Sequence, residues 1–115
     1  MIHPADKILT WHPTGKKGVY IAKQDYDLLR EFILSVLRTQ EITLKELIEM
    51  GESQLPLRIE KDLSWHILVV KLDLEARGLI TTVLKMVPHK LQFLKLRTRA
   101  LKKNNSTYRN PGLVR

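Results

Sequence analysis

The stretch "WHILVVKLDLEARGLITTVLKM", Trp65 to Met86, changes its hydrophobic period in the middle. Up to Arg77 the apolar residues fall at helical spacing, and from Leu79 onward the chain is β-leaning. Gly78 stands at the change, where a residue able to take positive φ can stop a helix. A second β-leaning run, "LQFLKL", follows "VPHK", so the two runs predict a hairpin with a short tip. A helix that runs through a glycine into a hairpin leaves the rest of a short chain to cover both.

The residues ahead of it supply two more helices. From Asp25, a plausible N-cap, Leu28, Leu29, Phe32, Ile33, Val36 and Leu37 make one apolar stripe. In "TLKE", Thr43 is placed to cap while Glu46 reaches back to the cap's own N–H. Leu44, Leu47 and Ile48 then face inward until Gly51, which reads as the end of a short helix before a linker to Pro56. The third helix is expected to start at Asp62 or Ser64. The predicted class is α+β: a three-helix core, residues 25–97 with its hairpin, preceded by an arm or small hairpin over 1–24 and followed by a basic tail over 98–115. In the arm, "HPTGKKG" reads as a loop between short β-leaning stretches at Ile8–Trp11 and Val19–Ile21.

Three helices followed by a hairpin is the element order of a winged helix-turn-helix domain. The best-matching stretch is "LDLEARGLITTVLKMVPHKLQFLKL", in which Leu74, Arg77, Gly78, Leu79 and Ile80 resemble the helix end and wing entry of repressors similar to the multiple-antibiotic-resistance type. The motif "VKLDLEARG" also resembles a family of small bacterial winged-helix proteins of unknown function. The resemblance implies a winged fold and the DNA-binding class, with architecture better supported than any one regulator family.

A DNA-reading helix should present polar side chains to base edges and phosphates. At about 100° per residue, Trp65, Leu68, Val69, Leu72 and Ala76 share one face of the third helix, which is the expected core face. Ile67, Val70 and Leu74 share the opposite one. Lys71 with Glu75, and Asp73 with Arg77, can pair along the seams at i, i+4. A helix apolar on both sides is covered on both sides, by its own chain or by a partner, and Ile67, Val70 and Leu74 are the expected interface to a second subunit or other protein.

Phosphate contact does not need that helix. The net charge is +8, with four Lys and one Asp in residues 1–24, ten basic and eleven acidic residues in 25–96, and six basic and no acidic residues in 97–115. Basicity therefore belongs to the ends. The expected nucleic-acid contacts are Lys61, Ser64 and His66 around the start of the third helix, Lys85, His89 and Lys90 near the wing tip, and Arg97, Arg99, Lys102, Lys103 and Arg109 in the tail. Tyr108 is available to stack, and Lys16, Lys17 and Lys23 add charge in the arm. The competing reading of such a tail is solvated surface that keeps a small protein soluble. Double-stranded DNA and a second copy of the chain are the expected partners.

Catalytic patterns are weak. "HPTGKKG" lacks the spacing of a phosphate-binding loop, and the four His, at 3, 12, 66 and 89, have no metal-ligand spacing. Asp73 and Glu75 point about 200° apart on a helix, so with Lys85 they do not form the acidic-acidic-lysine set of a nuclease. No enzyme activity, metal or cofactor is expected. With no cysteine there is no disulfide framework or thiolate chemistry. No apolar run approaches the roughly eighteen residues of a membrane span, the start lacks a secretory signal, and the cytoplasm is the expected compartment.

Overall fold

A computed structural model describes residues 6–55, 62–86 and 90–97. The elements in chain order are β1 (Lys7–Leu9), β2 (Tyr20–Ala22), α1 (Lys23–Leu37), α2 (Leu44–Gln54), α3 (Leu63–Ala76), β3 (Ile80–Lys85) and β4 (Leu91–Leu96). The class is α+β, with three helices and two small antiparallel sheets, β1–β2 and β3–β4.

The N-terminal hairpin pairs Lys7 with Ala22, Ile8 with Ile21 and Leu9 with Tyr20. Because pairing continues to Ala22, β2 runs straight into α1 without a loop. This corrects the expected helix start: the N-cap is Ala22, and Asp25 lies in the first turn, where its charge favours the positive end of the helix dipole. The neck of the hairpin closes at Thr10, which is buried. Its N–H and hydroxyl both donate to the Val19 carbonyl, at 2.9 and 3.0 Å, and its hydroxyl accepts from the Val19 N–H at 3.0 Å.

α2 begins with the predicted capping box: Glu46 N–H donates to Thr43 Oγ1 at 3.1 Å, and Thr43 N–H to Glu46 Oε1 at 2.9 Å. It does not stop at Gly51 but continues to Gln54. Gly51 is buried against α3, where a Cβ would come within 2.7 Å of Ile67 Cδ1. The residue read as a stop is the point of closest approach between two helices.

Asp62 caps α3, accepting from Trp65 N–H at 3.1 Å. The other end closes as a Schellman motif. Leu79 N–H donates to Leu74 O and Gly78 N–H to Glu75 O, both at 3.0 Å, with Gly78 at φ +80. The chain then enters β3, paired with β4 from Ile80–Leu96 at the base to Lys85–Leu91 at the tip. Leu94 N–H donates to Ile42 O at 2.7 Å, so the α1–α2 connection adds a single bridge to this hairpin.

The core lies where these pieces meet. Leu29, Ile33, Leu47, Ile67, Val70, Leu74 and Ile80 are essentially inaccessible, and Ile21, Phe32, Leu94 and Leu96 close around them. Ile67, Val70 and Leu74 are each 0% exposed, which corrects the expected faces of α3. The stripe read as an interface is the core stripe, covered by its own chain. Most of the stripe read as core looks outward: Trp65 is 40% exposed, and Leu68 and Leu72 are half-buried without joining the core cluster, whereas Val69 packs against it.

Candidate functional site

α3 carries one fully buried charged residue, Asp73, at 0% exposure. A carboxylate there needs partners for its oxygens. It accepts from the Trp11 backbone N–H at 2.8 Å, from the Tyr26 hydroxyl at 2.5 Å and from Arg77 Nε at 2.8 Å. Arg77 in turn lays its guanidinium 4.3 Å from the centre of the Trp11 ring and 5.9 Å from that of Tyr26. The arm, α1 and α3 thus meet on one polar cluster at the edge of the apolar core, with Asp73 on its buried side. Burial, followed by the hydrogen bond to Asp73, pushes the Tyr26 hydroxyl up to about 12. The Arg77 hydrogen bond to Asp73, against the cost of burial, raises that guanidinium above its ordinary value.

The cluster was half visible in the sequence. Asp73 and Arg77 were paired by their spacing, but Trp11 and Tyr26 join them from far along the chain and left no local signal. The second expected pair also forms, Lys71 to Glu75 at 3.0 Å, and Glu75 accepts from the Thr82 hydroxyl at 2.7 Å, docking that seam of α3 on β3.

The expected phosphate contacts are dispersed. Ser64 donates to the Asp62 carboxylate at 2.9 Å, and the His66 ring sits 3.1 Å from Asp62 O and edge-on to Trp65, so both turn toward the cap of their own helix. Lys85 is engaged by Glu41 at 2.9 Å and lies over the Phe93 ring. That ammonium, donating to it, holds Glu41 below the usual carboxylate range. Lys90 and Arg97 are exposed. Arg97 stands at the base of the β3–β4 hairpin, its N–H on Leu79 O, whereas Lys85 and Lys90 stand at its tip, about 20 Å away along the strands. Lys61, His89, Arg99, Lys102, Lys103 and Arg109 lie outside the described residues.

The loop between β1 and β2 encloses an open cleft of ≈ 460 Å³ that sequence reasoning missed. Its walls come from Leu9 to Gly18, with Ala76 of α3 closing one side. Among the described residues there is no group of three His, Asp or Glu able to hold a metal ion, and no helix long and apolar enough to cross a membrane.

The sequence pattern of DUF6958, a family of unknown function, matches residues 7–91, and the chain belongs to that family. The match takes in the arm, all three helices and β3. No curated protein and no solved structure matches the chain.

Proposed function

We propose that this protein is a winged-helix module of the DNA-binding class that holds phosphates through its wing and basic C-terminal segment without reading bases through α3. One observation carries the reading. β4 is followed by an exposed Arg97 that opens a nineteen-residue segment with six basic and no acidic side chains, while the outward face of α3 offers Trp65, Leu68 and Leu72 instead of polar readers. The bridge from Ile42 to Leu94 supports the winged arrangement, because it brings the α1–α2 connection to the edge of the wing through a single antiparallel pair. On this reading the protein binds rather than catalyses, and the expected partner is double-stranded DNA.

Contacts of this kind make affinity fall steeply with salt and vary little with sequence. The test is fluorescence anisotropy of labelled duplexes at low and moderate salt, comparing the full chain with one ending at Leu96. Salt-sensitive binding lost with the tail supports the reading. Sequence-selective binding that survives truncation sinks it.

A second reading is favoured by the outward α3 stripe itself. Trp65, Leu68 and Leu72 can bury against the same stripe of a second copy, since a two-fold interface is self-complementary. Sedimentation of the wild type beside Leu68→Glu checks it. A dimer that becomes a monomer supports the pairing, and a monomeric wild type at high concentration removes it.

A further inference from the structure

The cleft inside the β1–β2 loop belongs to neither reading. At ≈ 460 Å³ it lies within the range of small-molecule sites, roughly 300–1,000 Å³. Its lining is partly apolar and aromatic, from Leu9, Trp11, Pro13 and Ala76. Two lysines, Lys16 and Lys17, line it as well, and no carboxylate does. Neither lysine forms an ion pair among the described residues.

The loop is held in shape. Thr10 closes its neck on Val19, and Gly18 is pressed so closely on the Thr10 carbonyl that a Cβ would sit 1.6 Å from the oxygen. Trp11 is tied by its N–H to Asp73, and its ring is capped by Arg77 at 4.3 Å while remaining 52% exposed. At the tip, Gly15 N–H donates to His12 O at 3.0 Å and takes φ +81. His12 Nδ1 accepts the Thr14 N–H at 3.2 Å, which leaves the ring proton on Nε2 as a donor. An apolar lining, a held aromatic and two ammonium groups without an ion pair among the described residues are the complement of one ligand chemistry.

We propose that the β1–β2 loop binds a small planar organic anion, a flat ring lying on Trp11 and the apolar lining with its carboxylate or phosphate held by Lys16 and Lys17. Stacking supplies affinity for the ring, and the lysines supply the requirement for charge. The site is independent of the wing and the tail, so it can be tested whether or not duplex DNA binds.

The experiment is a ¹H–¹⁵N titration of the full chain with 2-naphthoate and 1-naphthyl phosphate. Neutral 2-naphthylmethanol and inorganic phosphate serve as half-ligands, and a ten-residue oligothymidylate as a polymer control. Expected is a saturable shift of the Trp11 indole N–H and the Lys16–Gly18 amides with either naphthyl anion, and none at the Trp65 indole. Preference for carboxylate or phosphate then names the head group. Each half-ligand should bind at least tenfold more weakly, and the double variant Lys16→Glu, Lys17→Glu, whose side chains are exposed, should lose at least tenfold in affinity. Equal binding of 2-naphthylmethanol, unchanged affinity in the double variant, shifts centred on Trp65 or no shift at millimolar anion would each overturn the site. Tighter binding of the oligothymidylate at the same amides would overturn it in favour of a nucleic-acid strand.

Discussion

The backbone N–H of Trp11 donates to the side chain of Asp73 at 2.8 Å, across 62 residues of chain. A buried carboxylate is therefore the fastening between the N-terminal hairpin and the C-terminal end of α3. Its other two partners, Tyr26 and Arg77, come from α1 and from the helix end that leads into β3.

Removing that side chain leaves a partly buried N–H, a buried phenol and a partly buried guanidinium without their acceptor. Asp73→Ala should therefore cost about 3–5 kcal/mol, the usual penalty for breaking a buried charged pair. Asp73→Asn keeps an oxygen for Trp11 but loses the attraction to Arg77, and should cost less. Urea unfolding ranks them. Equal stability of Asp73→Ala and wild type would show that the cluster contributes nothing.

Tyr26 makes the same cluster sensitive to alkali. Its hydroxyl is raised from 10.0 to about 12, so the folded state keeps a proton that the unfolded state gives up first. Stability is complete below about pH 10 and falls as pH rises toward 12, by something of order 2 kcal/mol. Tyr26→Phe removes the titrating group. Its stability should be lower at neutral pH and flatter between pH 10 and 12, by denaturant midpoint at each pH. A variant as steep as wild type would place the alkaline loss elsewhere.

What could be read from the sequence was local. The Thr43–Glu46 box, the Asp62 cap, the stop at Gly78 and the two strands of the β3–β4 hairpin each rest on neighbours within a few residues, and the structure has them all. The failures needed a distant partner. Asp25 looked like a cap because nothing near it says that β2 pairs as far as Ala22 with Lys7. Gly51 looked like a stop because Ile67, the reason for it, is sixteen positions on. The two apolar stripes of α3 cannot be ranked by period, since which of them is covered depends on residues far along the chain. Trp11 and the cleft beside it were invisible for the same reason.

The reversal of the α3 faces separates two substitutions. Val70 is 0% exposed in the core, so Val70→Glu buries an unpaired charge and should abolish the folded state. Leu72 is half-buried on the outward stripe, where a glutamate can reach water, and Leu72→Glu should fold with a loss near 1 kcal/mol. Circular dichroism melts of both decide it. A folded Val70→Glu beside an unfolded Leu72→Glu would restore the original assignment.

The contact between Gly51 and Ile67 yields the finest test of the α2–α3 packing. Alanine at 51 gains roughly 0.5–1 kcal/mol of helix propensity over glycine. It also places a methyl 2.7 Å from Ile67 Cδ1, inside a residue with no exposed surface into which to move. Overpacking of this kind costs about 1–3 kcal/mol, so Gly51→Ala should be destabilising by about 1 kcal/mol on balance. Ile67→Val deletes the opposing methyl and alone costs about 0.5–1.5 kcal/mol. In the double variant the clash is gone while the propensity gain remains, so adding Gly51→Ala to Ile67→Val should be neutral or stabilising. A double-mutant cycle in urea reads the coupling directly. Strict additivity would mean that the two side chains do not meet.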